Sequence, residues 1–258
     1  MKPRLWISYD YSSTSECLLM LDTILKQHSN RDIIHEIGRS TLLQALLEGF
    51  PIVAKFRQQL NNYQTIVADF RGYDVPHNAE RRLYHASLTD ISLTDMVTVM
   101  ANAPTETIRA AIFKADIEQK LVVFDLMSCF HDDWKVLRAQ ELADLGANLV
   151  SCHVGWTKQA SRNSSTTLID KVCSQLKNSS TQLIIRGDFK PSDVKNLKPY
   201  VEQNQIFAIV VGKAITRSKD PNVAIAQFFT EINTLVPGVT LKESYTPQLC
   251  PDYLGRNR

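Results

Sequence analysis

No apolar run in these 258 residues approaches the ~20 needed to cross a bilayer, so nothing in the sequence reads as a membrane span. The opening residues, Met1-Lys2-Pro3-Arg4-Leu5-Trp6, lack the apolar stretch of a secretory leader and are expected to enter a strand at once. Charge of one sign is missing as well. The net charge is +2 and no basic stripe carries interleaved aromatics, which removes the electrostatic case for a nucleic-acid partner. The five cysteines, Cys17, Cys129, Cys152, Cys173 and Cys250, are scattered, odd in number and without a CxxC pair. That usage argues against a disulfide frame or a zinc site and for reduced thiols in a cytoplasmic protein. No GxGxxG follows the first apolar segment, which counts against a Rossmann-type sheet, the runner-up architecture.

What is present is ordinary material for one sizeable core, with 44% hydrophobic and 22% charged residues. Short apolar runs alternate with longer amphipathic segments. The expected strands are Leu5–Tyr9, Asp32–Ile37, Thr65–Ala68, Asp95–Met100, Leu121–Phe124, Asn148–Cys152, Gln182–Ile185 and Phe207–Val211. The fourth has an open start, anywhere from Ile91 to Asp95. Helical periodicity covers Ser13–Gln27, Thr41–Leu60, Thr105–Lys114, Trp134–Leu145, Ser164–Lys177, Pro191–Tyr200 and Pro221–Leu235. Eight strands with intervening helices predict an α/β fold, a single (β/α)8 TIM-type barrel over residues 1–235. Residues 236–258, with three prolines and little periodicity, predict an irregular C-terminal tail packed on the barrel or on a partner.

In a parallel barrel the chemistry sits where the strands end. The most informative segment is Ile66-Val67-Ala68-Asp69-Phe70-Arg71-Gly72-Tyr73-Asp74, an apolar run leading straight into a carboxylate, a cation and a second carboxylate. Charges at the end of a buried strand are costly unless they face an open site. Asp10 follows the first strand, Glu36 lies in the second, Asp125 ends the fifth and His153 the sixth. Arg186-Gly187 and Gly212-Lys213 end the last two. A single Asp at a strand end can equally cap the next helix, and either Gly can be a mere turn. As a set they point to a functional rim, with the glycines letting backbone N–H groups approach a phosphate and Lys213, with Arg186, adding charge. The bland reading is kept for His131-Asp132-Asp133 (a solvated loop and helix start), for His85 (surface), and for Cys152 beside His153, which alternate faces along a strand.

Several segments in order carry a resemblance. They are Ile7-Ser8-Tyr9-Asp10, Glu36-Ile37-Gly38, Val67 to Asp74, Thr94 to Val99, Val122 to Leu126, Cys152-His153-Val154-Gly155 and Val210 to Pro221. Over about residues 5–232 the chain resembles the orotidine-monophosphate-decarboxylase superfamily. Within it the chain is most similar to the branch of 3-hexulose-6-phosphate synthases and 3-keto-L-gulonate-6-phosphate decarboxylases.

The resemblance implies a homodimeric barrel with shared active sites, Mg2+ and a phosphorylated ketose that reacts through an enediolate. It implies Glu36 and Asp69 as Mg2+ ligands, Asp69, Arg71, Asp74, Asp125 and His153 as the catalytic set, and Asp74 reaching the partner's site. Asp10, Gly187, Gly212 and Lys213 would bind substrate, and His153 would move protons, imidazole being the side chain that changes charge near neutral pH. The chain departs from the pattern at Arg71, where the family has lysine, and at Asp188, where the seventh strand normally has a second glycine. Asp125, Trp156 and the stretch Ala214–Pro221 favour the synthase side over the decarboxylase, and Arg71 keeps a non-catalytic sugar-phosphate-binding barrel open as a third reading. Nine glycines in the whole chain agree with a remodelled rim.

Overall fold

A computed structural model describes residues 2–61, 64–72, 93–154 and 159–236, the side chains of 159–166 excepted. Eight parallel strands close into a barrel in sequence order: β1 (Arg4–Tyr9), β2 (Ile33–Ile37), β3 (Thr65–Gly72), β4 (Met96–Met100), β5 (Leu121–Asp125), β6 (Leu149–Val154), β7 (Gln182–Gly187) and β8 (Ile206–Val211). β8 pairs back onto β1, so among the described residues the sheet has no free edge. The (β/α)8 expectation holds at all eight strands. The expected tail, the segment 73–92 that holds Asp74 and His85, and the segment 155–158 that holds Trp156 lie outside the described residues.

Period-two alternation builds two cores. Trp6, Ile34, Val67, Met96, Val123, Leu149, Ile184 and Val210 fill the barrel interior. Their odd-even neighbours, such as Leu5, Ile7, Ile33, Ile66, Val97, Val122, Val150 and Ile185, pack outward with the helical layer. Two residues beyond each of the eight interior residues stands Ser8, Glu36, Asp69, Thr98, Asp125, Ser151, Arg186 or Gly212. Seven polar side chains thereby share the interior face one layer above the apolar plug, at the C-terminal end of the strands.

The outer helices are α1 (Thr14–His28), α2 (Arg39–Glu48), α3 (Ile52–Gln59), α4 (Thr105–Glu118), α5 (Asp132–Asp144), α6 (Gln159–Leu176), α7 (Lys198–Glu202), α8 (Lys213–Thr216) and α9 (Pro221–Leu235). The single helix expected over Thr41–Leu60 is two. Gly49 closes α2 at φ +62°, its N–H donating to the Ala45 and Leu46 carbonyls, and Pro51 precedes α3. Pro191–Tyr200 is mostly a 3-10 turn, Pro191–Leu197, leading into α7. The helix expected to stop at Lys114 runs to Glu118, where Gln119 takes a left-handed conformation. α9 starts where expected, because Asp220 accepts from the Asn222 and Val223 N–H groups and Pro221 occupies the first turn. Asp132 and Asp133 sit in the first turn of α5, as the bland reading required. Burial pushes the Cys17, Cys152 and Cys173 thiols up to about 12, in keeping with inert core thiols.

His35 on β2 faces outward, fully buried, with Nδ1 2.9 Å from the Tyr9 hydroxyl and its ring stacked on the Tyr9 ring. Burial, then Arg4 and Arg57, lower its pKa to about 3. The unfolded chain binds that proton near pH 6.5, so the stability held above pH 6.5 is lost as the pH falls toward the folded value. Between pH 6.5 and pH 5 His35 alone is expected to remove about 2 kcal/mol. Urea denaturation across that range checks this: His35→Gln should flatten the wild-type acid slope, and an unchanged slope would refute the assignment.

Candidate active site

The polar layer opens into a cavity of about 530 Å3 at the C-terminal end of the barrel, a size suited to a small metabolite. Its lining includes Ser8, Asp10, Glu36, Asp69, Arg71 and His153 from the early and middle strands, and Arg186, Gly187, Gly212 and Lys213 from the last two. Asp125 lies beside it, with its Oδ2 3.5 Å from His153 Nε2. The expected rim residues in the described segments are therefore brought together.

Their geometry differs from the expected division of labour. Arg186, expected to add charge for a phosphate, is instead 4% exposed in the inner layer. Its NH1 and NH2 donate to Glu36 Oε1 at 3.0 Å and Oε2 at 2.5 Å, and its Nε donates to Ser151 Oγ at 2.9 Å. The guanidinium lies over the Trp6 ring, 5.0 Å from its centroid. Burial works against its charge, but Glu36 outweighs that and raises its pKa further. The Ser8 hydroxyl donates to Glu36 Oε1 at 2.6 Å, so this fully buried carboxylate is matched by a forked cation and a hydroxyl.

Asp69, 2% exposed, has its own cation. Arg71 Nε donates to Oδ2 at 3.0 Å and to Oδ1 at 3.2 Å, and the Thr98 hydroxyl donates to Oδ1 at 2.7 Å. The Arg71 side chain can reach back because its own backbone is left-handed, φ +47°, at a register shift between β3 and β4. The Arg71 N–H donates to Thr98 Oγ1, which joins the two strands at the bend. Burial and the neighbouring Glu36 raise the Asp69 pKa, with Arg186 and Arg71 only partly opposing them. At Asp125 burial also raises the pKa, but His153, Arg186 and the Met127 N–H more than offset it and hold the carboxyl below its ordinary value. Among the described residues neither Asp125 Oδ2 nor His153 Nε2 has a hydrogen-bond partner, so this pair is poised for one another or for a ligand.

This donor set does not fit a hard divalent cation. Such an ion wants near-octahedral oxygen ligands, and guanidinium groups offer none. Glu36 Oε1 and Asp69 Oδ1 each already accept two hydrogen bonds. Among the described residues no three His, Cys, Asp or Glu side chains converge as a metal-binding group.

At the mouth, Asp10 is exposed and accepts from the Ser40 N–H at 3.1 Å, which makes it a remote cap of α2 as well as a lining group. Gly38 packs against the same turn, where a Cβ would stand 2.8 Å from the Tyr9 carbonyl, so only glycine fits. Gly187 has φ +152°, and Gly212 precedes Lys213 with an open approach. Asp188 is exposed beside them. Arg39, Lys190 and Arg217 join Lys213 here, three cations that the sequence reading did not single out. Their signal was present, since each directly follows or closely trails a strand end. Ser8, Thr98 and Ser151 were also missed, although counting two residues on from an interior apolar residue finds all three.

The family model for orotidine 5'-phosphate decarboxylase / HUMPS matches residues 3–228. A 3-hexulose-6-phosphate synthase of Staphylococcus epidermidis is 28% identical over 196 residues, 76% of this chain and 84% of that protein. 3-Hexulose-6-phosphate synthase 1 of Staphylococcus saprophyticus is 27% identical over 223 residues, 86% of this chain and 95% of that protein. Among solved structures, 3-keto-L-gulonate-6-phosphate decarboxylase of Vibrio cholerae superposes with a TM-score of 0.69 at 19% identity, over 92% of this chain and 100% of that one.

Proposed function

The chain belongs to the orotidine 5'-phosphate decarboxylase / HUMPS family, and on that premise we propose that it is a carbon–carbon lyase of phosphorylated ketoses, of the 3-hexulose-6-phosphate synthase type. One observation carries the reading. One buried and one half-buried carboxylate–guanidinium pair and a carboxylate–imidazole pair converge on one cavity, whose mouth holds Arg39, Lys190, Lys213 and Arg217. The likeness to curated synthases along most of the chain supports the same substrate class.

In this reading the phosphate of ribulose 5-phosphate lies among the mouth cations and the Gly187 and Gly212 backbone, and the sugar reaches inward past Asp10. Asp69 takes the C1 proton, since a carboxylate with a raised pKa is the better base at neutral pH. Arg71 and Arg186 face the enediolate oxygens as fixed positive charges that need no reorganisation when the anion forms. The C1 electron pair then attacks the carbon of formaldehyde. Its carbonyl pair moves to oxygen, which takes a proton from His153, and Asp125, 3.5 Å away, serves as the counter-charge of that imidazole. Arginine cannot itself exchange the proton at neutral pH, so Arg71 serves as charge alone. The test is product formation from ribulose 5-phosphate plus formaldehyde, set beside 3-keto-L-gulonate 6-phosphate as substrate. Turnover of the second and not the first would move the protein to the decarboxylases. Binding of ribulose 5-phosphate with no turnover of either would make it a non-catalytic sugar-phosphate barrel.

The assembly proposed is a homodimer in which Asp74 completes the partner's site. Exposed apolar side chains support a covered face: Phe113 and Ile117 on α4, and Trp134 and Leu137 on α5. Mixing Asp69→Ala chains with Asp74→Ala chains should restore about one intact site per heterodimer. Light scattering that gives a monomer, or no recovery from two folded, inactive variants, would rule out the shared site.

A further inference from the structure

A cation is already built into the inner end of the cavity. Arg186 has three of its five N–H groups committed to Ser151 and Glu36, sits over Trp6, and is 4% exposed. To swing away it would have to break three hydrogen bonds and leave Glu36 buried with, among the described residues, the Ser8 hydroxyl alone as partner. The guanidinium is thus a fixed occupant held between elements far apart in the chain, and it lines the same cavity as the second carboxylate, Asp69. We propose that the Arg186 guanidinium supplies at Glu36 the positive charge that a divalent cation would otherwise bring to this end of the cavity, so that this barrel binds its anionic ligand without a metal.

Three points favour this assignment. The charge is matched locally, each carboxylate having its own guanidinium, Arg186 for Glu36 and Arg71 for Asp69. The contact on Glu36 is forked, NH1 to one oxygen and NH2 to the other, the form that the guanidinium donors match. The two Arg186 N–H groups that no described residue accepts from belong to a residue that lines the cavity, where they can donate to a ligand oxyanion. That the ligand is an enediolate rests on the proposed function. The charge that Arg186 supplies at Glu36 does not.

The experiment uses Mn2+ as a paramagnetic probe and Mg2+ by calorimetry, on the full chain without sugar phosphate. Wild type is expected to bind neither at millimolar concentration, whereas Arg186→Ala should gain saturable binding of one Mn2+ per chain, lost again in the Arg186→Ala, Glu36→Gln double variant. Stoichiometric Mn2+ on wild type, abolished by Glu36→Gln, would overturn the proposal. So would the absence of Mn2+ from a folded Arg186→Ala protein. Should Arg186→Ala not fold, a wild-type arm decides: ribulose 5-phosphate binding that is indifferent to EDTA supports the proposal, and binding that requires added Mg2+ refutes it. Ribulose 5-phosphate that binds under neither condition removes the proposed substrate and leaves the Mn2+ result to judge Arg186.

Discussion

Asp69→Ala is expected to lower the exchange of the ribulose 5-phosphate C1 proton with solvent deuterium by roughly 10^3-fold or more, the loss typical of removing a positioned base. Asp69 is buried, held by Thr98 and Arg71, and its carboxyl is raised by burial and by Glu36, which brings its basicity nearer to working pH. Binding of the sugar phosphate, read by calorimetry, should persist, because the mouth cations are untouched. Arg71→Lys should keep or raise the exchange, since lysine retains the charge and can also give up a proton. Exchange that survives Asp69→Ala would exclude Asp69 as the base. An inert wild type with an active Arg71→Lys variant would identify the natural protein as a binding or regulatory barrel.

Arg186→Met is expected to cost about 3–5 kcal/mol of folding stability, read by urea denaturation, because it leaves Glu36 buried without its counter-charge. Glu36 and Arg186 side chains are 1% and 5% exposed, so solvent screens neither. Adding Glu36→Gln should recover most of the loss, as the cost lies in the uncompensated charge rather than in missing volume. The deficit should also shrink as the pH is lowered. The Asp69 carboxyl is already raised by burial and by Glu36, and Arg186 is among the groups that oppose the rise. Without Arg186 the folded state takes up a proton more readily than the unfolded chain, and acid then favours it. A loss of less than about 1 kcal/mol would mean that the pair is worth no more than an exposed one.

Much of this was readable in the chain. Strand by strand, apolar runs such as Val122-Val123-Phe124 and Ile206 to Val211 are short and rich in β-branched and aromatic residues, which marks buried strands, and their number and alternation with helices decide the barrel. The rim was readable for the same reason: in a parallel barrel every strand delivers its last inward residue to one end, so Glu36, Asp69, Asp125, His153 and Gly212 had to share a face. Gly49 and Pro51 carried the break between α2 and α3, which the continuous apolar periodicity hid.

Partners were not readable. Arg186 and Glu36 are 150 positions apart, and only barrel closure sets β7 opposite β2 across the interior at hydrogen-bonding distance. The return of Arg71 onto Asp69 depends on a left-handed backbone that no propensity assigns to arginine. The sequence alone determined the fold, the end of the barrel that carries chemistry and the kinds of side chain found there, because strand period and topology are written locally. Which charge faces which, and hence whether the inner cation is a metal or an arginine, was decided by tertiary structure, because electrostatic pairing is a property of distance in space.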